Sequence, residues 1–472
     1  MSKNPYPPAA LPSLGAGARG DDGASEDAVT FTWDGDQIQA RPGEPIAVAL
    51  WRAGHVTQTR SLKYHRPRGP MCMTGDCPGC LIRVDGVPNV RGCRTPVVDG
   101  MDAESQTGWP SAETDVFSIV DRLFERFDHE RSFVRPQPVN QVYEAIARRM
   151  AGFGTQPTGE VATSPGRHLE TDVLVAGGGP AGLAAARAVH QAGREVRLVD
   201  EDMHGGSLSY HHEPIEVGDL AAADGPSLAE DLLDEVPDRR RIQGAVVGLY
   251  EDEPAAVLAE EPEGLAVHTV DAETTVLAVG GYEGPSIVEG NDTPGVLGAR
   301  AARILLGRWG LEPGDPVAVL DPDRQGRAFA DLATERGLTV HTLDDPEWIE
   351  GEERVEAVVG DKRRVDVEAA VIDPGVAPSA ELGRQAGVPY TWQDELGGRV
   401  PLHRADGRTP VPDVYVAGTC AGLPTVEAAL VQGQAAGQRA VGEQPQAIAR
   451  MIEAEGGLRD EERDAIRSVW NE

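Results

Sequence analysis

Apolar and polar positions alternate from Val29 to Ala40 around Asp34-Gly35-Asp36. That period of two with a central glycine predicts a β-hairpin. Pro42-Gly-Glu-Pro45 then opens a short apolar helix, Ile46 to Ala53, which Gly54 closes. Leu81–Val84 followed by Asp85-Gly86 predicts another strand and turn. The pattern changes beyond residue 170. Thr171–Ala176 is a continuous apolar run of the kind buried parallel strands carry. A helix over Leu183–Gln191 and a strand over 195–199 follow. The same rhythm returns at 314–320 (strand), 328–336 (helix) and 338–343 (strand), and again at 412–419 (strand) leading into a helix over 425–440. Between the two patterned regions, 115–127 and 140–150 read as amphipathic helices. Gly152, Gly154 and Pro157 then mark a flexible join.

These elements predict an α/β chain with an α+β module at its N-terminus. The expected parts are an acidic disordered arm over 1–27, a small β-grasp module over 28–100 and a helical connector over 101–167. A Rossmann-type domain over 168–295 and 378–445 surrounds a second, degenerate βαβ subdomain over 296–377. A helical tail occupies 446–472. No apolar run reaches the roughly 18 residues of a membrane span, and no charged-then-apolar leader pattern opens the chain. A cytoplasmic location is expected.

Charge narrows the partners. The 472 residues carry 43 Lys and Arg against 77 Asp and Glu, a formal net charge of −34. Broad binding to nucleic-acid phosphates or to an anionic membrane surface is excluded on that balance. Lysine occurs only at Lys3, Lys63 and Lys362. An acidic surface with few lysines suits a protein kept soluble at high salt, as in a halophile.

Four of the five cysteines lie close together, as Cys72-x4-Cys77-x2-Cys80-x12-Cys93. The first three follow the plant-type ferredoxin spacing, in which thiolates hold a [2Fe–2S] cluster. Short loops let backbone N–H groups reach the cluster sulfurs, and Gly75 and Gly79 permit the tight turns. Four thiols also suit zinc, although zinc ribbons usually pair two Cys-x2-Cys knuckles. Cys420 stands alone and reads as a packing residue. Arg60-Ser-Leu-Lys-Tyr-His-Arg-Pro-Arg68, a basic break in an acidic chain, is expected to meet an anion or an acidic surface beside the cysteines.

The strand at 171–176 runs into Gly177-Gly178-Gly179-Pro180-Ala181-Gly182, a helix and a second strand ending at Asp200. That is G-x-G-x-x-G in its full βαβ context. Gly177 makes the turn, Gly179 admits a pyrophosphate and Gly182 allows close helix–strand packing. The helix start at Pro180-Ala181 faces the phosphates. Asp200 is placed for a ribose 2′-OH, which fits FAD or NAD. Gly206-Ser207, Ala278 with Gly280, and Gly418-Thr419 resemble segments that pass the flavin in two-dinucleotide flavoproteins. The last two depart from the usual forms: Ala278-Val279-Gly280 lacks a Thr, and Thr419 replaces an Asp. FAD is expected, with NAD the alternative. In the second βαβ unit the turn reads Asp321-Pro-Asp-Arg-Gln-Gly326. Its missing glycines and two carboxylates predict a structural remnant without nicotinamide.

The whole resembles the alpha subunits of heteromeric sarcosine oxidases and the related amino-acid dehydrogenase and hydrogen cyanide synthase subunits. Arg60 to Gly69, Val87-Pro-Asn-Val-Arg91, Gly244 to Tyr250 and Glu289 to Val296 carry the resemblance. Large sarcosine oxidase alpha chains add a folate-binding C-terminal half, which is not expected in this chain. Many also lack the cluster cysteines retained here. The short form with a fused ferredoxin-like domain is therefore the expected match. The resemblance implies FAD and a [2Fe–2S] cluster, a hetero-oligomer, and electron transfer from a flavoprotein dehydrogenase subunit that oxidises an amine or amino acid. A self-contained pyridine-nucleotide-dependent reductase and a non-catalytic scaffold are the alternatives. No catalytic base stands out; His55, His65, His204, His211 and His212 qualify only by type.

Overall fold

The computed structural model describes residues 28–62, 64–118, 137–138, 140, 163–250, 253–261, 264–284, 286–360 and 362–470. The expected arm and nearly all of the two connector helices lie outside the described residues. The chain divides into two compact units. One joins Pro5–Val161 to Pro285–Pro374, and the other joins Ala162–Gly284 to Gly375–Glu472.

The hairpin forms as its pattern requires, Val29–Trp33 pairing antiparallel with Asp36–Ala40. Asp34 and Gly35 both take positive φ, the conformation a two-residue turn needs. Asp102–Ser105 adds a strand parallel to the first, so this sheet reaches past the expected boundary at residue 100. Leu81–Val84 and Val87–Arg91 complete five strands in a β-grasp arrangement. Phe31, Trp33, Ile82 and Val84 face the helix Ile46–Arg52, which contributes Ile46, Ala49 and Leu50 to the same core. Every apolar residue of this short helix is buried, as its unbroken apolar sequence demands.

The same unit contains the second βαβ subdomain. Its parallel sheet has the order Val296–Gly298, Ala369–Ile372, Val317–Leu320, Val340–Leu343. The helix Arg324–Glu335 starts four residues earlier than the apolar pattern alone suggests. The subdomain and the β-grasp module are tied together. Met71 packs on the subdomain's core, and the Gly298 N–H donates to the Met71 carbonyl at 2.9 Å. Arg68 pairs with Asp292 and Arg60 with Glu353.

In the other unit a six-stranded sheet is centred on His168–Ala176. Val196–Asp200 lies parallel on one side and Gly264–Leu277 on the other. The latter strand, 14 residues long, also pairs antiparallel with Ala255–Glu261. The helix Pro180–Gln191 packs against Val426–Ala440, and small residues make this possible. A Cβ on Gly433 would collide with Ala181 and one on Gly437 with Ala185. The tail forms two helices, Ile448–Glu455 and Asp460–Trp470. Ile452, Leu458, Ile466 and Val469 join the principal core of this unit, so the tail is an integral part of it.

Candidate functional site

The four thiols lie in a loop system built on the end of the β-grasp sheet. Cys72, Cys80 and Cys93 are buried and Cys77 partly so. Side-chain contacts link Cys77 to Cys72, Cys72 to Cys93 and Cys93 to Cys80. The contacts form a chain; among the described residues no three His, Cys, Asp or Glu side chains close on a mononuclear site. Backbone N–H groups of Thr74, Asp76 and Cys77 point at the Cys72 sulfur from 3.5, 3.2 and 3.3 Å. Hydrogen bonding from Cys77 and Cys93 holds the Cys72 thiol far below its ordinary range, so its thiolate is favoured. The hydrogen bond to Cys72, then burial, pushes Cys77 up. Soft donors, burial and N–H groups aimed at sulfur fit a [2Fe–2S] cluster.

Local backbone explains the shape of the loop. Gly75 adopts φ +87°, and a Cβ on Gly79 would strike the Gly69 carbonyl oxygen. The loop also rests on the neighbouring subdomain through Met71 and through Arg300, which stands 3.8 Å from Asp76.

Two of the four cations of the basic run, Arg60 and Arg68, meet carboxylates of the chain itself, Arg66 is exposed, and Lys63 lies outside the described residues. Arg60 is buried, its guanidinium donating to the carbonyls of His65, Ala112 and Glu113 and to the Glu353 carboxylate. Arg68 pairs with Asp292, and Arg66 lies over the Tyr64 ring at 5.4 Å. His65 is buried with Nδ1 2.7 Å from Asp115 Oδ2. Arg60 braces the unit internally, because its fork finds carbonyl acceptors in the turn it closes. His55 pairs at the surface with Glu113.

The glycine fingerprint assembles a second candidate site in the other unit. Gly177 takes φ +104°, and a Cβ there would meet the Ala278 carbonyl. A Cβ on Gly182 would meet the Gly177 carbonyl. At Gly179, the N-cap of the helix, nothing lies within 4 Å of the Cβ position. That opening, before a helix start with Pro180 in its first turn, fits a pyrophosphate. Asp200 Oδ2 accepts the Gly178 N–H at 2.6 Å, and Oδ1 accepts from Asp202 and Met203. The carboxylate therefore fixes the fingerprint turn as well as standing at the strand end where a ribose would lie.

The other expected residues gather on the same cradle. Gly206, at φ +55°, comes so close to Gly179 that a Cβ would lie 2.9 Å from its Cα, with Ser207 next in the same turn. Ala278 donates its N–H to Ala176, and Gly280 follows at φ +69° beside open space. Gly418, at φ +77°, comes so close to Ala181 that a Cβ would lie 2.8 Å from its side chain. Thr419 follows in the turn Gly418–Ala421. Two contributors are not legible in the sequence. Gln432 is fully buried and accepts the Gly418 N–H at 3.0 Å. His403, also buried, sets Nε2 3.0 Å from the Ala421 carbonyl and Nδ1 2.8 Å from that of Arg404. Both would need their tertiary partners known in advance. Cys420 is a packed residue whose thiol donates to Leu277 and Ala417, and burial pushes its pKa up.

In the degenerate subdomain, a residue the sequence does not single out is Asp373. Its Oδ2 accepts the N–H groups of Asp323 and Gly326 at 2.9 and 2.6 Å. The helix start that would face a pyrophosphate in a dinucleotide site therefore already holds a carboxylate of the chain itself.

Residues 26–108 match the 2Fe-2S iron-sulfur cluster binding domain, and 171–304 with 316–435 match the pyridine nucleotide-disulphide oxidoreductase family. The alpha subunit of sarcosine oxidase from Rhizobium meliloti (strain 1021) is 32% identical over 67% of this chain and 34% of its own length. An opine oxidase subunit from Agrobacterium tumefaciens (strain Ach5) is 28% identical over 56% of this chain and 64% of its own. The chain thus spans about a third of the first relative. The solved structure of L-proline dehydrogenase from P. horikoshii shares the fold, with a TM-score of 0.67 and 22% identity over 90% of this chain and 76% of that one. The two family matches give the cofactors as a [2Fe–2S] cluster and FAD. The chain belongs to the pyridine nucleotide-disulphide oxidoreductase family, as a sarcosine oxidase alpha-subunit-like member with a 2Fe-2S domain fused ahead of the flavoprotein fold.

Proposed function

We propose that this chain is the electron-transfer subunit of a heteromeric dehydrogenase or oxidase acting on CH–NH bonds. A partner flavoprotein would oxidise a sarcosine-, proline- or glycine-like substrate and pass its electrons here. The observation that carries the reading is the joining of a four-thiol loop and a dinucleotide cradle in one chain. FAD accepts two electrons and releases them singly, and a [2Fe–2S] cluster carries one.

In this reading Cys72, Cys77, Cys80 and Cys93 hold the cluster. The N–H groups of Thr74, Asp76 and Cys77 stabilise charge on the Cys72 sulfur. Gly177, Gly179, Pro180, Ala181 and Gly182 seat the pyrophosphate, and Asp200 orients the turn and the ribose. Gly206, Ser207, Ala278, Gly280, Gly418 and Thr419 line the path of the flavin. Asp373 at the helix start of the second subdomain argues against a pyridine nucleotide as electron donor. The names of the relatives support an amine substrate.

The test is spectroscopic. The assembly purified from its native cells should show flavin bands and an iron–sulfur shoulder, and both should bleach anaerobically with one substrate of an amine and amino-acid screen. Cys77→Ser should lose the iron signal and keep FAD. Bleaching of the isolated chain by NADH alone, or a colourless protein, would overturn the reading.

A further inference from the structure

One concavity of the flavoprotein unit serves none of these roles. It has a volume of about 520 Å³ and is bordered by Arg384, Val388, Tyr390, Trp392 and Arg399. Tyr390–Gln393 and Gly398–Pro401, an antiparallel hairpin, supply most of its wall.

Its aromatic part is fixed in place. Trp392 is 63% exposed. Its indole N–H donates to Asp394 Oδ1 at 2.7 Å. Gly398, at φ +118°, lies against the ring, where even a Cβ would sit only 3.3 Å away. Tyr390 is half-buried beside it, and burial pushes the phenol pKa up, so the hydroxyl stays protonated. A large indole held still with most of its area in water is a preformed contact surface, with an apolar face and a polar edge.

The charges point the same way. Arg384 and Arg399 are exposed. Among the described residues neither side chain makes an ion pair or a hydrogen bond. Several other surface arginines find carboxylates, as Arg187 does with Asp219 and Glu235, Arg364 with Glu350, and Arg467 with Glu453. In a chain with 77 acidic residues against 43 basic ones, this concavity is bordered by two guanidiniums and by no acidic residue. Guanidinium forks match carboxylates bidentately. Trp, Tyr and Arg are the side chains that dominate binding energy at protein interfaces, especially when they surround a pocket.

We propose that this concavity docks an acidic segment of the partner subunit, one that sets a carboxylate between Arg384 and Arg399 and an apolar side chain on Trp392. The proposal rests on the heteromeric reading above. A second copy of this chain is a poorer occupant, because two bodies of net charge −34 repel.

Hydroxyl-radical footprinting of the natively purified assembly tests it. Trp392 should be protected in the assembly and labelled freely once the partner is removed. Trp392→Ser and the pair Arg384→Glu with Arg399→Glu should each weaken assembly at least about tenfold, with FAD and iron contents unchanged. An intact heteromer with Trp392 fully labelled, or variants that assemble as the wild type does, would overturn the surface alone. Protection that persists in the separated chain would reassign the concavity to a small anion or a second copy. A chain that purifies without any partner would sink the heteromeric reading and this surface with it.

Discussion

At the residue scale, the side chains that organise the glycine cradle proposed for the flavin differ in kind from those that line it. Glycines line it, and a motif can announce them. Gln432 and His403 hold its last turn from inside the core, and no local pattern marks a buried Gln or His as anything but a polar residue. His403 gives a prediction. Burial pulls its imidazole below the ordinary 6.5, against the pull of the Arg404 and Ala421 carbonyls and of Asp406. Between the lowered value and 6.5 only the unfolded chain takes the proton, so unfolding takes up protons there. Stability is thus highest above the ordinary histidine range and falls as pH drops through it. Urea midpoints measured stepwise from about pH 8 to about pH 5 should decline for the wild type and decline less for His403→Gln. Equal slopes for the two proteins would show that the imidazole is not the group being titrated.

At the element scale, the strands and helices of both units were largely legible, because burial on both faces or on one face writes a distinct period into each segment. His168–Ala176 and Val196–Asp200 formed where their apolar runs lie. Tertiary contacts decided the rest. The Arg60–Arg68 run is expected to meet an anion or an acidic surface, and carbonyls and carboxylates distant in sequence take up Arg60 and Arg68. The tail is expected as helix of no stated role, and five of its apolar residues complete a core. The helix Arg324–Glu335 begins early because Asp373 accepts two N–H groups at its start. Removing that acceptor should cost about 1–3 kcal/mol, since buried N–H groups would lose their partner. Asp373→Ala should therefore unfold at lower urea with FAD and iron contents intact, while Asp373→Asn, which keeps an acceptor oxygen, should lose much less. A variant Asp373→Ala as stable as the wild type would mean that the helix start finds other partners and that the carboxylate is incidental.

At the scale of the whole molecule, the dominant quantity is the net charge of −34. Many of the carboxylates that carry it are already paired. Burial pushes Glu261 up, but hydrogen bonds from His268 and Arg167 outweigh it and hold the carboxyl below its ordinary value. The hydrogen bond from Arg467 holds Glu453 down in the same way. Such local pairs survive salt only in part, and exposed ones contribute little anyway. The uncompensated remainder is a long-range repulsion that the folded chain concentrates and the unfolded chain relaxes. Salt acts on these two quantities in opposite directions: it weakens the pairs and screens the repulsion. With an excess of 34 negative charges the second effect should win. The screening length falls from about 30 Å at 0.01 M salt to about 3 Å at 1 M. The melting temperature should therefore rise from dilute buffer to molar potassium chloride. Chloride is the better choice for the titration, because sulfate would also strengthen apolar burial by exclusion and blur the cause. A melting temperature that falls with added chloride would show that the ion pairs, and not the repulsion, govern this surface, and the high-salt habitat inferred from composition would lose its physical basis.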